Sequence, residues 1–280
     1  IPYSSENPMV AALRGEKPVI KILNKADLAD PELTKAWMEY LEQQDGVKAI
    51  ACDNNKADDV KRIIALCKKM VPNKVGTGRQ IKAMIMGIPN VGKSTLINTL
   101  AGRAVARTGD EPAVTKSQQL IKLDDDIMLY DTPGMLWPKV ENENSGYRLA
   151  ATGGIRDTAF DFADVASYTA EYLMQAYPEL LKRRYKIEEL PKTDWEFFEV
   201  AGRNRGCVRA GNQVDTYRMS EILINELRSG KLGDITLETP AMTEAEELVV
   251  AEQRIAAEEK RIAKEEEKRL RRLKTRKNRK

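Results

Sequence analysis

Apolar positions fall in short runs at the front of the chain and at helical spacing further on. "PVIKILN" at 18–24 groups Val19, Ile20, Ile22 and Leu23 into a short buried strand that ends in a polar loop. "DPELTKAWMEYLEQQDG" at 30–46 predicts a helix with Asp30 as N-cap, Pro31 in the first position and Gly46 as a stop. "VKAIA" at 47–51 is a second strand, and 52–71 reads as a loop and another helix. A Pro, Gly and polar connector at 72–80 leads to "IKAMIM", a strand running straight into "GIPNVGKST" and the helix "TLINTLAG". "QQLIKL" and "IMLY", separated by the acidic turn "DDD", predict a strand pair. Strands alternating with helices predict an α/β domain with one mostly parallel sheet covered on both faces.

From about 145 the pattern turns helical, over 161–185, 193–206 and 216–233. Thr243 and Glu246, at capping-box spacing, open a last charged segment. There Leu248, Ile255 and Ile262 recur every seven residues, but Ala251 and Glu258 between them make a poor coiled-coil seam. Pairs such as Glu265 with Arg269 and Glu267 with Arg271 support an exposed single helix instead. The expected division is an α/β domain over 1–142, a smaller all-α domain over 143–240 and a charged helix or tail over 241–280.

Charge sharpens that division. The net charge is +3, yet residues 268–280 carry nine Lys or Arg and no acid, which leaves −6 on the rest. The basic end suits nucleic-acid phosphates; its plainer role is a solvated helix that aids solubility. No stretch approaches the roughly 18 apolar residues of a membrane span, and no leader pattern stands at the front, so a cytoplasmic monomer without a membrane partner is expected. Cys52, Cys67 and Cys207 lack CxxC spacing and fit reduced thiols. The absence of histidine excludes imidazole as base, metal ligand or triad member.

Three motifs carry chemistry. Gly87, Gly92, Lys93 and Ser94 satisfy G-x-x-x-x-G-K-[ST] between a strand and a helix, where backbone amides and a helix N-terminus cradle phosphates. Asn90, Val91 and Thr95 belong to the same loop. Lys93 is expected to reach the β and γ phosphates and Ser94 to hold Mg²⁺. Asp131 and Gly134 form D-x-x-G at a strand end, placing a carboxylate for Mg²⁺ and an amide for the γ phosphate. Asn24, Lys25 and Asp27 form N-K-x-D after a strand. The Asp27 carboxylate can accept from both N1–H and the 2-amino group of guanine, donors that adenine lacks there. Thr115, between the phosphate loop and D-x-x-G, stands where nucleotide switches put a threonine on Mg²⁺. Lys93, Thr115 and Gly134 are the expected catalytic set.

The order is unusual. Ordinary small GTPases run phosphate loop, threonine, D-x-x-G, N-K-x-D; here N-K-x-D comes first. A circular permutation, with the old ends joined through 72–80, gives that order. With "IPYSSENPM", "NKADL", "GIPNVGKSTLIN", "GDEPAVTKSQQ", "DTPG", "RGCVRAGNQVD" and "RSGKLGDITLETP", the chain resembles the circularly permuted YlqF family, the ribosome biogenesis GTPase A group, over residues 1 to about 240. The resemblance implies GTP and GDP binding with Mg²⁺, GTP hydrolysis, and late maturation of the large ribosomal subunit with binding of ribosomal RNA. It places Cys52 and Asp53 in the final guanine loop and Asn90 at a potassium position. Pro112 and Ala113 depart from the family's Pro-Gly, and the strand and helix that the family carries before "IP" are not in this sequence, so one sheet strand is expected to be missing. Met135 occupies the place of the water-orienting glutamine, and its thioether cannot do that work, so unassisted hydrolysis is expected to be slow. The rival functions are an RNA-binding scaffold with a non-hydrolysing nucleotide site, and a GTPase of another pathway such as membrane traffic.

Overall fold

The computed structural model describes residues 1–54, 56–105, 119–137 and 140–277. Ile1–Thr239 form one compact unit and Pro240–Lys280 a second. After the short α1 (Met9–Arg14), β1 (Val19–Asn24) and β2 (Val47–Cys52) flank α2 (Pro31–Leu41). The predicted cap is present: the Asp30 carboxylate accepts from the amides of Glu32 and Leu33, with Pro31 opening the helix, a device that contributes about 1 kcal/mol. α3 (Ala57–Met70) leads through the connector to β3 (Ile81–Ile85), α4 (Lys93–Ala101) and the pair β4 (Gln119–Lys122) and β5 (Ile127–Asp131).

The single sheet expected from the sequence is two. β1 pairs only with β2, in parallel; β3 and β4 flank β5, β3 in parallel and β4 antiparallel. Among the described residues β1 hydrogen-bonds only to β2 and β3 only to β5, so each pairs on one side only. One apolar core nevertheless runs across both, with Ile50 and Cys52 of β2, Ile121 and Leu129 of the three-stranded sheet, Val60 and Ile63 of α3, and Leu96 and Ile97 of α4. Burial rather than strand pairing therefore joins the two sheets. The connector is clipped by Lys68, whose ammonium lies 2.7 Å from Asp124 Oδ2 and 2.9 Å from Asp126 Oδ2, while Asp126 Oδ1 accepts from the Gly76 amide.

Residues beyond 142 form α5 (Glu143–Ala151), α6 (Phe162–Ala176), α7 (Pro178–Tyr185), α8 (Asp194–Asn204) and α9 (Thr216–Arg228) around a core that includes Leu149, Leu173, Tyr185, Phe197, Met219 and Leu223. The helix predicted across 161–185 is broken in two at Tyr177, because Pro178 has no amide to continue it and instead starts α7. α10 (Pro240–Lys277) also starts earlier than predicted. Pro240, with its fixed φ, opens it, and Thr243 sits inside the first turn with its hydroxyl donating to Pro240 O. Leu248, Ile255 and Ile262 are exposed, as a single helix requires. The predicted pairs at Glu265–Arg269 and Glu267–Arg271 involve side chains outside the described residues. No helix is long and apolar enough to cross a membrane among the described residues.

The first and last residues of the larger unit meet at a buried carboxylate. Glu238, fully buried, accepts from the amides of Tyr3 (2.6 Å) and Ser4 (3.1 Å) and from the Ser4 hydroxyl, with the buried Arg148 guanidinium 3.7 Å away. The Trp37 indole donates to the Glu238 carbonyl at 2.9 Å. Glu238→Ala would remove the carboxylate beside a buried guanidinium and leave two amides without their acceptor, at a cost of about 3–5 kcal/mol. Thermal denaturation should show a Tm lower by about 6 °C or more. Glu238→Gln, which keeps an acceptor, should lose less.

The Lys68 clip gives a pH dependence. The Lys68 hydrogen bond, then the Gly76 amide, hold the Asp126 carboxyl below its ordinary value. A depressed carboxylate contributes stability above the unfolded-state pKa of about 4, and that contribution fades as pH falls through the folded value. Asp126→Asn should therefore reduce the difference in denaturant midpoint between pH 7 and the acid limb.

Candidate functional site

The site is built where parallel strands end together. Asn24 and Cys52 are register partners at the ends of β1 and β2, as are Ile85 and Asp131 at the ends of β3 and β5. Four loops therefore leave from strand ends, in the region where α/β sheets bind ligands. The phosphate loop runs from Gly87 into α4, and two of its residues take left-handed backbone conformations, Asn90 at φ 61° and Gly92 at φ 82°. At Gly92 only glycine fits: a Cβ would lie 2.4 Å from Asn24 Nδ2 and 3.0 Å from Asn54 Nδ2.

Those two amides explain the close approach. Asn24 Nδ2 donates to Val91 O at 2.6 Å, and Asn54 Nδ2 to Gly92 O at 3.3 Å. Two consecutive loop carbonyls are thus engaged by the loops after β1 and β2. Next in the chain come the first amides of α4, those of Lys93, Ser94 and Thr95, which have no acceptor inside the helix. A helix N-terminus of this kind favours an anion. Asn24 Oδ1, by contrast, is buried with no hydrogen-bond partner among the described residues.

Across the loop, Asp131 is fully buried at the end of β5, and the Thr132 hydroxyl donates to Ile85 O at 2.7 Å. Gly134 lies against the phosphate loop: a Cβ there would be 3.3 Å from Pro89 Cα and 3.4 Å from Lys93 Nζ. Burial pushes the Lys93 ammonium below the ordinary lysine range, and the Asp131 charge pulls it partly back. A half-buried ammonium beside a glycine amide and helix-terminal N–H groups fits a polyphosphate, which would supply the missing negative charge. The Ser94 hydroxyl and the Asp131 carboxylate are hard oxygen donors suited to Mg²⁺, an ion that keeps several waters and needs few protein ligands. Mg²⁺ held there would offset the negative charge of a bound polyphosphate.

Lys25, at φ 58°, and Asp27 in the turn after it are both exposed, as is Thr95, while Ser94 is half-buried. Cys52 lies in the core, and burial, then Asp59 and Asp53, raise its thiol pKa. Asp53 is mostly buried, 3.7 Å from Lys56 Nζ. The residue of this loop that reaches the phosphate loop is Asn54, which the sequence did not single out. Its signal is its place two residues beyond Cys52, the register partner of Asn24. Asn90 donates through Nδ2 to Gly153 O at 2.9 Å. Thr115 lies outside the described residues.

Comparison with known proteins points the same way as this geometry. A family profile described as "50S ribosome-binding GTPase" matches residues 82–190, from the third strand through the phosphate loop and D-x-x-G into the helices. The chain is 44% identical to ribosome biogenesis GTPase A of Priestia megaterium over 252 residues, 87% of each chain. It is 46% identical to that of Bacillus cereus over 247 residues, 86% of this chain and 83% of the relative. Among solved structures, GDP-bound TM YlqF superposes with a TM-score of 0.61 at 27% identity, covering 86% of this chain and 90% of the other. GNP-bound YlqF from T. maritima gives 0.58 at 26% identity, over 85% and 88%. The chain belongs to the ribosome biogenesis GTPase A family.

Proposed function

We propose that this GTPase acts in late assembly of the large ribosomal subunit, bound to ribosomal RNA as a monomer, with a circularly permuted G domain over 1–142, a helical RNA- or ribosome-binding domain over 143–240 and a charged tail over 241–280. The observation that carries the nucleotide reading is the Asn24 Nδ2 to Val91 O hydrogen bond. It ties N-K-x-D to the phosphate loop in the inverted order that a permutation produces. In this reading Asp27 selects guanine with Lys25 along the base face, and the loops of Cys52 and Asp53 and of Asn24 border the base. Gly92, Lys93 and the amides of α4 hold the phosphates, and Ser94 and Asp131, with Thr115, hold Mg²⁺. Asn90 is the residue for potassium. The description of the matching family, "50S ribosome-binding GTPase", supports the large subunit as partner.

Hydrolysis by the chain alone is slow in this reading. Met135, next after Gly134, is 58% exposed, its amide donates to Gly87 O at 3.4 Å, and a thioether neither orients nor deprotonates water. Ribosomal contacts or potassium would then supply what the side chain does not.

Titration with fluorescent GTP and ATP analogues should give a preference for GTP of roughly 10³-fold or more, because a site built to hydrogen-bond two donors rejects a base that lacks them. Asp27→Asn should remove most of that preference. Large subunits should co-sediment with the chain to different extents with GTP, GDP and no nucleotide. Equal affinity for ATP and GTP, or no co-sedimentation in any state, would overturn the proposal.

The tail makes a separate prediction. If residues 268–280 neutralise RNA phosphates, each contact contributes about 0.7–0.9 to the slope of log affinity against log salt. Deleting 268–280 should flatten the salt dependence of subunit binding by several such increments. An unchanged slope would leave the tail a solubilising helix.

A further inference from the structure

The phosphate loop is held from a third side, by the end of α5. That helix closes in a left-handed turn: Gly153, at φ 77°, donates to Ala150 O at 3.1 Å, and Gly154 donates to Leu149 O at 2.7 Å. The Gly153 carbonyl then accepts from Asn90 Nδ2. Gly154 packs directly under the loop, since a Cβ there would come within 2.9 Å of Ile88 Cδ1. The side chain of a left-handed loop residue, Asn90, is thus oriented by a carbonyl 63 positions away.

What fixes that carbonyl is Arg228, the last residue of α9. Its Nε donates to Ala151 O at 3.0 Å and its Nη2 to Ala150 O at 2.8 Å, the second a carbonyl that also accepts from the Gly153 amide. The other edge of the guanidinium grips Asp157, with Nη2 at 2.8 Å from Oδ1 and Nη1 at 3.3 Å from Oδ2. Its Cζ would lie 3.7 Å from a Cβ on Gly153, so the planar group forms one wall of the turn. The planar guanidinium makes four hydrogen bonds here, one more than the three donors of an ammonium can supply.

We propose that Arg228 is a positioning residue for the GTP phosphates. It fixes the Gly153 turn, and the turn sets Asn90 and the backbone of the loop from Ile88 onward. This rests on the reading that the loop binds GTP.

The test is a double-mutant cycle on the full chain, read as the Kd for a fluorescent GTP analogue. Arg228→Met and Asn90→Ala should each raise Kd about tenfold, and the double variant should also stay near tenfold, because both changes break one contact chain. Arg228→Lys, which keeps the charge at the end of α5, should weaken binding nearly as much as Arg228→Met. A hundredfold loss in the double variant, or wild-type Kd in an Arg228→Met protein with an unchanged circular dichroism spectrum, would overturn the proposal. Should Arg228→Met not fold, Asp157→Ala loosens the same guanidinium from an exposed side; about a threefold rise supports the role and an unchanged Kd sinks it. If the wild-type chain itself does not prefer GTP to ATP, the proposed function fails; if it does and the Arg228 and Asp157 variants bind normally, only the positioning role fails.

Discussion

A single side-chain amide joins two loops that the chain writes far apart. Asn24 reaches Val91 across 67 positions, and the reach is possible only because β1 and β3 both deliver their loops to the same end of the parallel strands. Everything chemical in the molecule depends on that convergence. The absence of a Cβ at Gly92 allows the approach, the two engaged carbonyls fix the loop, and the open end of α4 follows directly from it. Strand order along the chain matters little to such a site, because the neighbours that count are spatial. A sequence can begin at a different point of the cycle and keep the same pocket, provided the strand ends stay aligned.

Much of this was legible in the residues themselves. Asp30 and Pro31 announced the start of α2, and the apolar runs placed the five strands of the described residues, because caps and strand ends are set by interactions within a few positions. What escaped was non-local or a contest between local signals. Pro178 overrode a helical period that continued on both sides of it, and Pro240 outcompeted the capping pattern at Thr243. The resemblance implied a missing strand, but not that the sheet would divide in two, since pairing edges are a property of the whole set of strands. Asn54, Arg148, Glu238 and Arg228 act across tens to hundreds of positions, and no short pattern marks a polar side chain whose partner is so distant.

The helical segment is more than an appendage to the nucleotide site. Its residues touch the loops of both motifs: Ile235 donates its amide to Leu28 O, one residue beyond Asp27, and the Tyr177 hydroxyl donates to the Asp30 carboxylate at 3.2 Å. With the Gly153 turn under Asn90, the N-K-x-D loop and the phosphate loop each contact segments from beyond residue 142. A change of spacing between the two loops would have to be accommodated by those helices, which share one continuous core.

The buried thiol of Cys52 lends itself to a different use. Alkylating reagents attack thiolates, and desolvation keeps this sulfur protonated while the core around it keeps reagents out. Its reaction therefore waits on a transient separation of β2 from α3 and α4. Because Cys52 stands opposite Asn24 in the strand register, the pace of that modification would serve as a clock for breathing at the root of the pocket.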